Sequence, residues 1–275
     1  EENTSKSIFK NADLLKNIAT ERVISEFLKL ICGKDAVKIL DAYRETIAVI
    51  IPEITVMFNF NQNNIHHSYD LWHHTLTALG TIEPNPILRM TMLLHDIGKP
   101  SVKTTDTDGQ SHFQGHQLES KKIADKILHR LRLPSDFIEK TLLLIEYHDV
   151  RFNGSKKLMK KVMNVLGTDL TKQLLEVEYA DISAQSEYQR EEKLGYLETA
   201  KTHLNEIIKD NECFKLSQLD INGKDILKLG VKEGRDVGNI LDYLLMLVVD
   251  ANVPNEKSVL ISKVKEYIYG NQINM

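Results

Sequence analysis

Apolar residues recur along most of this chain at three- and four-residue spacing, whereas the two-residue alternation of a half-buried strand is nearly absent. One such series runs through Val23, Ile24, Phe27, Leu28 and Ile31. This spacing puts apolar side chains on one face of an α-helix, and that face needs a partner to cover it. The sequence therefore predicts an all-α fold, a helical bundle in which several such faces share a core.

Local signals also predict where some helices begin and end. Thr20 is predicted to cap the first long helix, and a second helix is predicted over residues 36–49. Asp136 and Glu139 have the spacing of a capping box at the start of a later helix. The polar segment Asn59–Asn64 predicts a loop between sub-domains.

The composition limits the classes of protein to which the chain can belong. Of its 275 residues, 42% are hydrophobic and 27% are charged, which is ordinary for a globular protein with a real core. The net charge of −4 gives no global basic field, so contact with nucleic acid would need a local basic patch. No apolar run reaches the roughly 20 residues of a membrane span, and Cys32 and Cys213 have no disulfide or metal-ligand spacing. We expect a cytoplasmic protein in a reducing compartment, with no membrane contact.

A histidine and an aspartate stand side by side after an apolar run. Gly98 and Pro100 follow them and are predicted to end the helix, so His95 and Asp96 should lie on its last turn. Neutral imidazole and ionised carboxylate together suit a divalent metal of intermediate hardness, and Lys99 could meet an anionic substrate. Because an isolated His-Asp dipeptide is common, this interpretation depends on further ligands elsewhere.

Four other side chains supply such ligands. His74 shares the apolar face of its helix, where it is either a ligand or a core histidine with satisfied hydrogen bonds. His116 precedes an amphipathic helix and has the alternative of a surface position, and His148 closes a second apolar helix. Asp181 lies among apolar residues, so it must meet a cation or accept hydrogen bonds, with an arginine as the alternative partner.

These residues lie on or beside different helices, which is the arrangement a bundle uses to bring side chains to one point. A first metal site with open positions for water would comprise His74, His95, Asp96 and Asp181. Asp96 would bridge to a second metal held by His116 and His148. Two divalent metals about 4 Å apart can activate a shared water and hold both the attacking and leaving oxygens of a phosphate ester. The reaction class that follows is phosphate ester hydrolysis.

A glycine-rich segment, residues 230–238, precedes an apolar helix near the C-terminus and contains Lys232 and Arg235. Backbone N–H groups at the start of that helix, together with the two cations, could hold a phosphate of RNA. The alternative is that the glycines only form a tight turn. We call residues 230–238 the tail segment.

The ligand series resembles the HD superfamily of metal-dependent phosphohydrolases, in which two further histidines stand between the His-Asp pair and a final aspartate. The likeness is closer to the HD-containing bacterial tRNA nucleotidyltransferases, or CCA-adding enzymes. The segments that carry it are Tyr69–Leu76, Leu93–Pro100, His112–His116, Glu146–Asp149 and Ala180–Ile182. Outside them, Asn11–Arg22 resembles the neck and body helices of that family, and Ile221–Asp225 resembles its tRNA-contacting tail.

The resemblance implies neck and body helices in residues 1–62, an HD phosphohydrolase domain in residues 63–190 and a helical tail that contacts tRNA in residues 191–275. It implies one or two divalent ions, from Mn, Ni, Co, Fe and Mg. The expected partners are a small nucleotide phosphate, cyclic or at a 3′ end, and tRNA or another RNA 3′ end. The residues expected to take part in catalysis are His95, Asp96 and Lys99.

The nucleotidyltransferase head of such enzymes, with its glycine-rich strand turn and paired metal-binding carboxylates, has no counterpart in this sequence. We therefore expect the chain to add no CMP or AMP to tRNA on its own. The resemblance implies either the C-terminal part of a CCA-adding enzyme or a head-less relative. Two functional hypotheses stand side by side: an HD-type phosphohydrolase, or a tRNA-binding module in which the HD region is only scaffold.

Overall fold

The computed structural model describes residues 2–66 and 69–272, and the described chain is mostly helical. Its α-helices are α1 (Glu2–Asn11), α2 (Thr20–Ile31), α3 (Ala36–Ala42), α4 (Arg44–Ile50), α5 (Leu71–Thr81), α6 (Pro86–Leu94), α7 (Lys99–Val102), α8 (His116–Arg130), α9 (Ser135–Tyr147), α10 (Lys156–Ala184), α11 (Arg190–Lys209), α12 (Gly223–Lys228), α13 (Arg235–Val249) and α14 (Lys257–Gln272). Short 3₁₀ helices cover Ala12–Asn17, Pro52–Met57 and Leu216–Gln218. Two-residue strands, β1 (Thr104–Thr105) and β2 (Ser111–His112), pair antiparallel with Thr104 opposite His112. The predicted all-α fold is confirmed.

The chain forms two compact units. One comprises Glu1–Arg151 with Lys172–Leu197, and the other Phe152–Thr171 with Glu198–Met275, leaving aside the undescribed residues. The second unit has a core of its own, to which α12, α13 and α14 contribute buried Ile226, Ile240, Leu244, Leu260 and Val264. Burying each large apolar side chain contributes about 1.5–3 kcal/mol, which the ordering of the chain largely offsets.

Helix α6 is the central element of the first unit. Asn85 caps it by accepting hydrogen bonds from the backbone N–H groups of Ile87 and Leu88, and Pro86 occupies its first turn. Every residue from Leu88 to Leu94 is buried, including Arg89 and Thr91. A helix that is covered on all sides is held rigidly by its neighbours, so the residues at its end are well fixed in position.

The turn after α6 packs unusually closely on α8. A Cβ on Gly98 would lie 2.5 Å from the backbone nitrogen of Ser120 and 2.7 Å from the carbonyl oxygen of His116. The Gly98 N–H also donates to Ser120 Oγ at 2.9 Å. The missing side chain at Gly98 therefore brings the turn that carries Asp96 against the helix that carries His116.

Several predicted boundaries differ from the structure. Pro100 does not end a helix but lies in the first turn of α7, because proline fits where no N–H partner is needed. Thr20 is already helical, with Ala19 before it as the cap residue. Helix α9 begins at Ser135, so Asp136 lies inside its first turn, where its carboxylate pairs with Lys140 at 2.8 Å instead of capping.

The helix predicted over residues 36–49 is two helices, α3 and α4. They separate at Tyr43, whose backbone has φ −116° and ψ 23°. The Tyr43 ring stacks on Phe9 with ring centroids 5.4 Å apart, and its hydroxyl lies 2.7 Å from Ser5 Oγ. These contacts with α1 are tertiary, so the sequence pattern of residues 36–49 does not predict them.

Both cysteines are free, and Cys213 packs in the core of the second unit. Among the described residues, no helix combines the length and the apolar character needed to cross a membrane.

Candidate metal centre

Six side chains that the sequence singled out meet in the first unit, and we call them the donor cluster: His74, His95, Asp96, His116, His148 and Asp181. Helix α5 carries the first, α6 leads into the His-Asp pair, α8 begins with His116, α9 ends just before His148, and the last turn of α10 carries Asp181. All of them except Asp181 are buried. Their ligand atoms form two groups that share Asp96, and within each group the atoms lie within 4.8 Å of one another.

The capping of α5 decides which of two adjacent histidines faces the cluster. The Asp70 carboxylate accepts a hydrogen bond from the backbone N–H of His73 and also contacts His73 Nδ1 at 2.8 Å. His73 is therefore held on the exposed side, whereas His74 is fully buried. The prediction that His74 lies on the apolar, buried face of its helix is confirmed.

Each buried imidazole of the cluster directs Nδ1 at a backbone carbonyl. For His95, His116 and His148 the acceptor lies three residues earlier, and the respective distances are 2.8 Å to Met92, 2.9 Å to Phe113 and 2.7 Å to Ile145. His74 Nδ1 lies 3.3 Å from the carbonyl oxygen of Ala184. Because a carbonyl only accepts, Nδ1 carries the hydrogen and Nε2 is left to face the cluster. Metal-binding histidines are usually oriented in this way.

Asp96 divides its two oxygens between the two groups. Oδ2 lies 3.4 Å from His74 Nε2 and 3.2 Å from His95 Nε2. Oδ1 lies 3.2 Å from His116 Nε2 and 3.5 Å from His148 Nε2. One carboxylate therefore faces both groups, one oxygen to each.

Asp181 is the second carboxylate of the first group. Its Oδ1 lies 2.9 Å from His74 Nε2 and 3.5 Å from His95 Nε2. Its Oδ2 accepts a hydrogen bond of 2.8 Å from Gln185 Nε2. Within the described residues no arginine pairs with Asp181, so the arginine alternative is wrong.

Lys99 lies on Asp96. Its Nζ is 2.6 Å from Asp96 Oδ2 and donates to Gln62 Oε1 at 3.0 Å, with only 5% of the residue exposed. The sequence predicted that Lys99 meets a substrate anion, but in the structure its charge balances that of Asp96. Gln62 gave no signal in the sequence, because 37 residues separate it from Lys99.

The charges in the cluster shift one another's pKa. Burial lowers the pKa of His95, but the charge of Asp96 and hydrogen bonds to both carboxylates outweigh burial and raise it to about 10. Burial raises the pKa of Asp96, yet the charges of His95 and Lys99 hold it well below its usual range. Burial also opposes ionisation of Asp181, whose pKa is held low by His74 and His95. Both carboxylates are thus ionised at neutral pH, and without a metal their charges are compensated by Lys99 and the protonated imidazoles.

The donor separations fit a bound metal ion. Around an ion with bonds of about 2.1 Å, neighbouring donors lie about 3.0 Å apart at octahedral angles and about 3.4 Å apart at tetrahedral angles. The separations given above run from 2.9 to 3.5 Å. In the second group, the Nε2 atoms of His116 and His148 lie 3.2 Å apart although both rings already donate through Nδ1. Two lone pairs would repel at this distance, so a cation or a proton between them is needed.

One buried carboxyl near the cluster was not predicted. Glu178 lies one turn before Asp181 on α10 and is 6% exposed. Burial and the charges of Asp181 and Asp149 raise its pKa well above the usual range. Its protonated form is therefore favoured. Residues 170–185 contain both polar and apolar side chains, so the sequence alone does not predict that this glutamate is buried.

The tail segment lies in the second unit and directly precedes α13. Gly230 and Gly234 have φ of 90° and 125°, which only glycine adopts easily, and no side chain caps α13. Lys232 and Arg235 are both exposed. Within the described ranges neither side chain makes a hydrogen bond or an ion pair.

Comparison with known families gives two matches. Residues 1–58 match the family described as "Probable RNA and SrmB- binding site of polymerase A". Residues 116–264 match the family described as "tRNA nucleotidyltransferase domain 2 putative". These two matches leave out residues 59–115, which carry His74, His95 and Asp96.

Similar curated proteins point the same way. The chain is 30% identical over 247 residues to the CC-adding tRNA nucleotidyltransferase of Thermus thermophilus, covering 86% of the chain and 54% of that protein. It is 29% identical over 161 residues to the multifunctional CCA protein of Legionella pneumophila, covering 54% of the chain and 38% of that protein. It is 30% identical over 142 residues to the A-adding tRNA nucleotidyltransferase of Deinococcus radiodurans, covering 48% and 32%.

The chain thus spans about half the length of the first of these relatives and about a third of the other two. The match over residues 116–264 extends over more than half of the chain, and two of the three relatives are named tRNA nucleotidyltransferases. The chain belongs to the tRNA nucleotidyltransferase family.

Proposed function

We propose that the chain is a metal-dependent phosphohydrolase of the HD superfamily that acts on cyclic or 3′-end nucleotide phosphates. The observation that carries the proposal is the position of Asp96, with one oxygen toward His74 and His95 and the other toward His116 and His148. A scaffold has no need to gather two carboxylates and four imidazoles with every Nδ1 on a backbone carbonyl, whereas this orientation is usual for histidines that bind a metal.

In this proposal His74, His95, Asp96 and Asp181 hold one divalent ion, and His116 and His148 share Asp96 to hold another. When bound, such ions activate water and stabilise the charge that develops on a phosphate ester. The chain's own contribution is orientation: the four backbone carbonyls fix the imidazoles, and Lys99 keeps Asp96 ionised. Of the candidate ions Mn, Ni, Co, Fe and Mg, mixed imidazole and carboxylate donors favour the four transition metals over Mg.

A second candidate function, RNA binding, rests on the tail segment. Exposed Lys232 and Arg235 stand at the uncapped start of α13, where backbone N–H groups and the helix dipole favour an anion. Support also comes from the description of the family matched by residues 1–58 and from the names of two relatives, the CC-adding and A-adding tRNA nucleotidyltransferases. We propose tRNA as the partner, with residues 1–62 and 191–275 flanking the hydrolase domain of residues 63–190.

A hydrolysis assay with adjacent histidines as a matched pair tests the first proposal. Protein stripped with EDTA would be assayed on bis(4-nitrophenyl) phosphate and cyclic nucleotides, with and without added Mn, Ni, Co, Fe or Mg. We expect metal-dependent hydrolysis by the unmodified chain and by His73→Ala, whose ring lies on the exposed side, but not by His74→Ala. Equal activity of His73→Ala and His74→Ala, or no hydrolysis with any metal, would contradict the proposal.

A further inference from the structure

Gln185 and Lys193 form a short chain of hydrogen bonds that ends on Asp181. Lys193 Nζ donates to Gln185 Oε1 at 2.6 Å, and Gln185 Nε2 donates to Asp181 Oδ2 at 2.8 Å. The orientation of the amide follows from chemistry alone. A lysine ammonium can only donate and an ionised carboxylate can only accept, so the oxygen of Gln185 must face Lys193 and its nitrogen must face Asp181.

The segment that carries Gln185 is itself held in place. The Arg190 guanidinium donates to the backbone carbonyl of Gln185. The backbone N–H of Ser186 donates to the carbonyl of His66 at 2.8 Å, and its hydroxyl donates to the carbonyl of Ile65 at 2.6 Å. Gln185 therefore cannot easily swing away from Asp181.

The two oxygens of Asp181 therefore have different partners. Oδ1 faces His74 and His95, and Oδ2 is occupied by the amide of Gln185. The bond leaves a lone pair on Oδ2, but it fixes the orientation of the carboxylate so that Oδ1 is the oxygen directed at the first group. A bidentate carboxylate would fill a second coordination position, which a substrate oxygen or water otherwise takes.

We infer that Gln185 is a positioning residue that holds Asp181 as a one-oxygen ligand of the first metal, and that Lys193 fixes the direction of the Gln185 amide. This inference rests on the proposed metal site and adds to it two residues outside the donor cluster. Gln185 acts through Asp181 and does not touch the metal. Its effect should be confined to the first group, because Asp96, His116 and His148 have no part in the chain of hydrogen bonds.

The test is calorimetric titration of EDTA-stripped protein with Mn²⁺, in the His148→Ala background so that only the first group remains able to bind strongly. Gln185→Met keeps the length of the side chain but removes the donor, and we expect the Kd for Mn²⁺ to rise about 10- to 100-fold, as for other partners of metal ligands. Gln185→Glu places a carboxylate against Asp181 and should weaken binding at least as much. Lys193→Met leaves the Gln185 amide in place but removes the contact that sets its direction. We therefore expect a smaller rise in the Kd, of less than about 10-fold.

Two matched controls and a stability measurement make the result specific. Gln110→Met and Lys38→Met change exposed residues of the same types in the same unit, and both should leave the Kd unchanged. The thermal midpoint in EDTA should be nearly the same for all variants. A Gln185→Met protein that no longer folds would leave Lys193→Met as the deciding variant.

The outcomes separate this inference from the proposed function. If the unmodified chain bound no Mn²⁺, the metal site and the inference would both be overturned. If the unmodified chain bound Mn²⁺ and Gln185→Met bound it equally well, only the inference would fall. If Gln185→Met in the unmodified background weakened both groups equally, Gln185 would be a folding residue and the inference would also fall.

Discussion

The donor cluster and the tail segment both contain charged side chains, but those of the cluster are mostly buried and those of the tail segment are exposed. In the cluster, two carboxylates and four imidazoles are brought together from five helices, mostly out of contact with water. In the tail segment, Lys232 and Arg235 stand exposed on a glycine-rich turn. The first arrangement requires the whole fold of its unit, whereas the second requires only a turn and the start of a helix.

The difference predicts how each region responds to salt and to mutation. Buried charges are little screened by salt, so the cluster should bind its ions over a wide range of ionic strength. Exposed cations act on a polyanion by releasing counterions, so binding at the tail segment should weaken steeply with salt. Single substitutions in the cluster should accordingly have large effects on metal binding. Substitutions in the tail segment should have modest, salt-dependent effects on RNA binding.

The largest effect is expected from Asp96→Ala. Because Asp96 faces both groups, its loss should remove both ions and lower phosphate ester hydrolysis by at least about a thousandfold. Metal content and hydrolysis would be measured on the same preparation. Asp96→Asn, which retains the shape of the side chain, is the control for folding. Full metal content and unchanged hydrolysis in Asp96→Ala would show that the cluster is scaffold.

A smaller loss is expected from His148→Ala. This change removes a donor from the second group only, so one ion should remain and the Kd of the other should rise at least about a hundredfold, since removing a ligand costs no less than removing its partner. Metal stoichiometry by equilibrium dialysis would measure this. Loss of both ions would mean that the two groups are one site.

A moderate effect is expected when Lys232 and Arg235 are changed together to alanine. If each contacts one phosphate, the slope of log K for tRNA against log salt should fall by about two units, while hydrolysis of a small ester persists. The matched control is the change of exposed Lys122 and Lys126 to alanine. Superimposable salt curves for the tail variant and the unmodified chain would mean that the glycines only form a turn.

The smallest effect is expected from Glu178→Gln, as a change of stability with pH. The pKa of Glu178 is raised in the folded state, so below the unfolded value of about 4.5 the carboxyl is protonated in both states and costs nothing. Above that pH the unfolded state loses its proton first, and the folded state becomes less stable as pH rises. Glutamine cannot ionise, so in EDTA at pH 8 the urea midpoint of the variant should be higher than that of the unmodified chain. Near pH 4 the two midpoints should be the same. Equal midpoints at pH 8 would contradict this.

The sequence predicted the all-α fold and the six residues of the donor cluster because both leave local patterns. His95 and His148 each close an apolar helix, and such a position can be recognised without knowing the fold. Gln62 cannot be found in this way, since it reaches the cluster through Lys99 from another part of the chain. Gln185 lies four residues after Asp181, a spacing that meets on a helix face, but nothing in the sequence distinguishes it from an ordinary surface glutamine.

The role of Gly98 was misread for a similar reason. Its position after the His-Asp pair predicts a helix end, whereas its structural purpose is the close approach of backbone on α8. Helix α6 ends at Leu94, so His95 and Asp96 follow the helix and do not lie on its last turn as predicted, and the space beside Ser120 depends on a helix some 20 residues away. Patterns within one helix are therefore readable from sequence, and contacts between helices are not.

The central claim is that Asp96 joins two metal sites, and anomalous diffraction from crystals of the chain soaked in Mn²⁺ tests it most directly. The account predicts two anomalous peaks, one among His74, His95, Asp96 and Asp181, and the other among Asp96, His116 and His148. Each peak should lie about 2.1 Å from a different oxygen of Asp96. No peak at the cluster, or peaks that do not touch Asp96, would contradict the account.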